Sequence, residues 1–458
     1  MLLADWLTLL PPLLALAIAV WSRNVYWALG LAIWTSETLN ADFNPALGLL
    51  ASVERAVSIF GNEGNTRILL FCLIIGALIE YMRRSGGIAG MVNWLERTGA
   101  AGTRRRAGAV TALTGTLIFV ETNISLLTTG IMGRPLFDRL KMSRARLAYI
   151  IDSTSAPVSI LILLNGWGAF VLGLISEYDL GNPLAVLVAT IPLNFYALLT
   201  VAGVWITVLS DRTFGPMRAR ENRMMAANDD APEDETGSGS ALNMGLPLLV
   251  LVGGALGFML WTGNGNMLEG SGSQSILWAV CLATALAFIL LARSGKEKKG
   301  SLIEIGFKGM GDLLPAVTVI FLALVLGASL KALGTGEVLG SLAAGIPFAW
   351  ALPAIVFVVA GITSFTTGTS WGTYGILVPV AIPLALGSGV PPSLALAAVL
   401  GGGVFGDHCS PISDTSIIAS LAAECDHIDH VRTQLPYSLA TGLLAVIGYL
   451  AAGIAVTL

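Results

Sequence analysis

The order of apolar and polar positions along this chain predicts a helical membrane protein. A helix needs about 20 apolar residues to cross a bilayer, and runs long enough occur near 5–21, 66–82, 184–208, 243–262, 274–293, 309–330 and 433–457. A shorter run over 24–38 predicts one more crossing. Two other apolar stretches behave differently. Residues 107–133 lie between the basic clusters Arg104 to Arg106 and Arg134 to Arg146. Short basic loops stay on one side of the membrane, so this stretch must enter and leave by the same face, as a re-entrant hairpin with its tip at Glu121, Thr122 and Asn123. Residues 352–388 fold back at 364–370, inside a segment from 332 to 431 that holds no Lys or Arg, which places this hairpin's entry on the opposite face. The stretches 41–65 and Met91 to Arg97 mix charge with apolar residues and read as interfacial.

Each hairpin is followed by an apolar run that polar residues and a proline interrupt, over 144–176 and 392–424. The interruptions match one another. Asp152, Ser155, Pro157 and Ser159 correspond to Asp407, Ser410, Pro411 and Ser413 with one residue of slippage, and Thr122 to Ser125 at the first tip corresponds to Thr367 to Ser370 at the second. Internal symmetry of this sort accompanies inverted repeats. The expected fold is therefore an all-α polytopic membrane protein with two inverted-topology repeats, each with a re-entrant hairpin and a broken transmembrane helix. The first repeat covers 1–210 (hairpin about 107–133, broken helix about 144–176). The second covers 243–458 (hairpin about 352–388, broken helix about 392–424). Residues 211–242 join them, basic first and acidic later with no hydrophobic period, as a largely disordered cytoplasmic linker would be.

Composition agrees with the pattern: 55% of the 458 residues are hydrophobic and 12% charged, which excludes a set of soluble domains. The net charge of −4 says little, because in such proteins charge is informative by side. With the linker inside, all but Arg55, Arg67 and Lys331 of the 25 Lys and Arg residues fall on the cytoplasmic face of a cell (inner) membrane. The first apolar run lacks a basic flank and a cleavage site and reads as a retained span. Four cysteines scattered through apolar segments imply no disulfide framework.

Four carboxylates fall within the membrane: Glu121, Asp152, Asp407 and Asp414. Each costs roughly 2.5 to 3.5 kcal/mol at the bilayer centre. One such group at a helix break could serve as a cap. Four at equivalent breaks, beside freed carbonyls and the hydroxyls of Ser155, Ser410, Ser413, Thr122, Thr369 and Ser370 and the amide of Asn123, form a hard oxygen shell suited to Na⁺. His408, Pro157 and Pro411 would shape that shell from behind. His408 with Cys409 could also be read as a base and nucleophile, and Cys425, His427 and His430 as zinc ligands. Neighbouring side chains on an extended break point apart, and a lone short cluster is weak, so the zinc residues read as a polar junction at a helix end. Trp167 and Trp371 follow the breaks and read as packing residues.

The run GDHCSPISDTS from Gly406, with CDHIDHVRTQLPY after it, closely resembles the signature region of the NhaC-type Na⁺/H⁺ antiporter family. FVETNISLLTTG and DSTSAPVS in the first half look like the same family, so the resemblance extends from about Arg67 onward. It implies an ion transporter, not an enzyme, that exchanges Na⁺ for H⁺ by alternating access, with both ions competing for buried carboxylates. No cofactor, no metal beyond Na⁺ and no nucleic acid is implied; lipid, Na⁺ and H⁺ are the partners, and a homodimer is open. The motif falls on Asp152, Ser155 and Pro157, and on Asp407, His408, Ser410, Pro411, Ser413 and Asp414. Two alternatives stand beside it: a Na⁺-coupled organic-anion exchanger of malate/lactate type, and an intramembrane thiol enzyme built on His408 and Cys409. The first lacks a basic residue at the breaks.

Overall fold

The computed structural model describes residues 6–457 apart from 23, 88–89, 91–101, 120–121, 227–239, 267–268, 295–300 and 345–346. The described residues form helices and turns, with no strand among them. The chain opens with a hairpin of α1 (Leu10–Ser22) and α2 (Val25–Asn40), then α3 (Pro45–Ser58). Asn44 caps α3, which buries Gly48 and exposes Leu47, Leu50 and Val57 as a surface-lying helix does. The long α4 (Glu63–Arg84) follows. Next come α5 (Arg104–Leu117), α6 (Thr122–Arg139), α7 (Arg144–Ser153), the single turn α8 (Ala156–Ser159) and α9 (Gly166–Ile175). The half closes with α10 (Pro183–Ala189), α11 (Phe195–Ser210) and α12 (Gly215–Ala226).

The second half begins with α13 (Leu242–Thr262) and α14 (Gly272–Ser294), followed by the 32-residue α15 (Ser301–Ala332) and α16 (Thr335–Ala344). A second hairpin, α17 (Leu352–Thr367) and α18 (Ser370–Ser388), leads to α19 (Pro392–Cys409), α20 (Asp414–Ala423) and α21 (His427–Thr457). Eight helical stretches among the described residues are long and apolar enough to cross a membrane. The protein is a multi-pass membrane protein. The order long helix, helix pair, broken helix, final helix occurs twice, as α4 to α11 and as α15 to α21.

The two long helices hold the halves together. α4 and α15 run antiparallel, with the Tyr81 hydroxyl donating to Leu302 O (3.1 Å) and Phe60 against Phe321. They cross at Gly76 and Gly309, where a Cβ on either would run into the carbonyl oxygen of the other. Only glycine permits so close an approach, and in lipid such packing is a main source of helix association. Tyr26, at the turn of the first hairpin, donates to Pro315 O (3.2 Å) part-way along α15, while Ser329 near its end donates to Glu37 (2.7 Å).

Two features differ from the sequence reading. The run 184–208 is divided: Pro192 lies in the break, and Asn194 caps α11 by accepting from Ala197 N. The head of the 211–242 linker is ordered as α12, because its charges find buried partners. Glu221 accepts from Arg104, Arg146 and Ser143 N, and Arg220 pairs with Asp429. Glu121 and the 91–97 segment lie outside the described residues.

Candidate functional site

The chain breaks where it must. Asp152 ends α7, Ser155 leaves helical geometry (φ −99°, ψ −81°), and Pro157 stands at the start of α8. Asn165 then caps α9 and donates its amide to Phe119 O (3.1 Å), Ser159 O (2.8 Å) and Ile162 O (2.8 Å), satisfying carbonyls that the break leaves open. In the second half Pro411 separates α19 from α20, Ser410 donates to Phe365 O (2.7 Å), and Ser413 caps α20 by accepting from Ser416 N (3.3 Å).

Each hairpin tip meets the break that follows it. Ser155 donates to Thr122 O (2.9 Å), and Ser370 donates to Asp407 Oδ2. Thr122 is buried and its Oγ1 has no hydrogen-bond partner. Gly368 turns the second tip in the left-handed region (φ 69°), with its carbonyl accepting from Asp414 N (3.4 Å).

Asp152 and Asp407 are both fully buried, with exposures of 0% and 1%. Asp152 Oδ2 accepts from Gln434 Nε2 (2.6 Å) and Ser416 Oγ (3.2 Å) and lies 3.3 Å from His430 Nε2. Its Oδ1 has no hydrogen-bond partner and faces His408 Nε2 at 3.9 Å, likewise unpartnered. Asp407 Oδ1 also has no partner. No Lys or Arg side chain pairs with either carboxylate among the described residues. His408 Nδ1 meets the Tyr196 hydroxyl (3.0 Å) rather than Cys409, so no nucleophile and base face each other. His427 lies between Ser420 and Pro411 O, and no group of three His, Cys, Asp or Glu suited to a metal occurs among the described residues.

Asp414 is the exception among the predicted carboxylates: it is exposed, with Oδ1 accepting from Thr415 N (2.9 Å). It borders a half-open cavity of about 390 Å³ together with Asn123, Thr369, Trp167, Trp371 and Asp312. Gln434, Tyr196 and Asp312 were not singled out from sequence; His430 was read as a zinc-ligand candidate or a polar helix end, and Ser416 as one of the hydroxyls beside the Pro411 break. Of the first three, Asp312 alone had a local signal, a carboxylate within an apolar run and three residues before a proline.

Residues 167–454 match the model of the Na⁺/H⁺ antiporter family. An uncharacterised protein of Haemophilus influenzae is 32% identical over 476 residues, covering 97% of this chain and 90% of that one. An arginine/ornithine antiporter of Halobacterium salinarum is 28% identical over 237 residues, covering 49% of this chain and 44% of that one. The crystal structure of the Alcanivorax borkumensis YdaH transporter shares the fold, with a TM-score of 0.60 at 16% identity, covering 89% of this chain and 88% of that one.

Proposed function

The chain belongs to the Na⁺/H⁺ antiporter family, and from that premise we propose that it exchanges Na⁺ for H⁺ by alternating access at Asp152 and Asp407, where the two ions compete. One observation carries this reading: each carboxylate is fully buried at a helix break, unopposed by Lys or Arg, and keeps one oxygen without a protein partner. Such an oxygen requires either a proton or a cation. Na⁺ favours the ionised group, whereas burial without Na⁺ favours the protonated one, so one site can exchange the two. Ser370, Ser410 and Ser413, with the carbonyls at the tips, supply the neutral oxygens of the shell; Ser155, Thr122, Asn123 and Thr369 do the same from the first break and the tips. His408, Pro157 and Pro411 hold the breaks open behind it.

The second repeat is inverted relative to the first, the membrane is the cell (inner) membrane, and the linker faces the cytoplasm. The repeated element order and the Lys and Arg distribution support this orientation. Cysteines placed at Glu233 and Asn264 test it: outside labelling is expected at 264 and not at 233, and the reverse would overturn it. The exchange itself is tested in proteoliposomes with an entrapped pH dye, adding Na⁺, Li⁺ and K⁺ in turn. A Na⁺-dependent proton flux is expected, and its absence from correctly inserted protein would remove the reading.

A further inference from the structure

The half-open cavity at the hairpin tips is larger than an alkali ion needs. Its volume is about 390 Å³. That falls in the range of small-molecule sites, about 300 to 1,000 Å³. We infer that this cavity binds a small organic cation with an ammonium or guanidinium head. The inference goes beyond Na⁺/H⁺ exchange, whose carboxylates Asp152 and Asp407 do not line it.

Charge decides the ligand class. Asp312 of α15 and Asp414 at the start of α20 both line the cavity, and no Lys, Arg or His lines it among the described residues. Neither carboxylate pairs with a basic side chain among the described residues. An organic anion would meet two like charges and no counter-charge from the described lining. A neutral ligand would leave both unused. The described residues hold no cluster of three ligands for a divalent metal.

The walls supply what an organic cation uses besides charge. Trp167 and Trp371 lie side by side, ring centroids 5.0 Å apart, and both reach the cavity. Trp371 is also stacked on Phe170 and Trp167 packed against Tyr374, so the indoles are held in place. Faces of this kind attract an ammonium or guanidinium group, by about 0.5 to 2 kcal/mol. Asn24 and Asn123 add amides that can orient a polar tail. A few convergent polar groups in a largely apolar pocket are the usual form of a ligand site.

The test is isothermal titration of the purified full-length protein at fixed Na⁺ with agmatine, which carries one ammonium and one guanidinium, and with succinate as the dianion of similar length. Saturable binding of agmatine and none of succinate is expected. Asp312→Asn is expected to weaken agmatine about tenfold or more, the loss of one charge-assisted hydrogen bond. Trp371→Leu is expected to weaken it, and Trp371→Phe to weaken it less; this pair is read even if Asp312→Asn does not fold. No saturable agmatine binding, binding of succinate in its place, or parental affinity in Asp312→Asn and Trp371→Leu would overturn the inference. The pH-dye assay on the same protein reports Na⁺/H⁺ exchange separately, so either reading can fail alone.

Discussion

Replacing Asp407 by Asn tests the exchange mechanism most directly. The substitution keeps shape and an acceptor for the Ser370 hydroxyl but removes the charge. Asp407 is 1% exposed and, among the described residues, has no basic partner and leaves Oδ1 without a hydrogen-bond partner. A cation at about 4 Å from that charge gains about 4 kcal/mol at an effective dielectric of about 20. At about 1.4 kcal/mol per decade this is roughly a thousandfold in Na⁺ affinity. Stability should move the other way or not at all, because a buried, unpaired carboxylate is costly and a buried amide is less so. The expected Asp407→Asn protein therefore inserts, unfolds at or above the parental temperature, and shows no Na⁺-driven proton flux in the pH-dye assay at Na⁺ levels that saturate the parent. If it exchanges at the parental rate and apparent affinity, Asp407 is not the carrier and the competition mechanism fails.

Three further substitutions test what holds the site in place. Gln434→Leu removes the 2.6 Å donor to Asp152 Oδ2 inside a fully buried cluster, and about 1 to 3 kcal/mol of stability should go with it, measured as a lower unfolding midpoint in detergent. Gly309→Val puts a side chain into Gly76 O and within 2.8 Å of Glu80 Cβ; forced separation of α4 and α15 should cost about 1 to 3 kcal/mol or more, and an unchanged midpoint would deny that this crossing is tight. Arg146→Met leaves Arg104 as the remaining basic partner of Glu221 and Asp211 among the described residues. Removing one member of a buried network costs about 3 to 5 kcal/mol, and the remaining Arg104 places the expected loss near about 3 kcal/mol.

The residues visible from sequence were those that break a pattern. Asp152, Ser155, Pro157, Asp407, Ser410 and Pro411 interrupt apolar runs, where any polar group is expensive and so conspicuous. The tips at Thr122 and Ser370 stood out for the same reason. Residues that matter through a distant partner gave no such signal. Gln434 sits at the start of the long apolar run of α21, and Tyr196 in α11 reads as one more aromatic, yet they reach Asp152 and His408. Asp312 interrupts a run just as Asp407 does, but it lies outside the stretches that match between the two halves, so comparing them passes over it. The head of the linker failed differently: composition makes 211–226 look solvated, and only the folded chain brings Arg104, Arg146 and Asp429 against it.

The two halves of the chain meet at the candidate site through several side chains, one of them a hydroxyl shared between the two breaks. Among the described residues, every side chain that hydrogen-bonds Asp152 comes from the second half: Ser416, His430 and Gln434 stand 264, 278 and 282 positions away. Asp407, in contrast, is held by Ser370 of its own hairpin. Ser416 Oγ lies 3.2 Å from Asp152 Oδ2 and 3.4 Å from Asp407 O. A serine has one proton to donate, so it can serve only one of these acceptors fully at a time. When Asp152 is ionised the proton belongs on its carboxylate, the stronger acceptor; when Asp152 takes up a proton, the hydroxyl is released toward the carbonyl of Asp407 at the end of α19. A change of charge in the first break is thus a change of hydrogen bonding in the second.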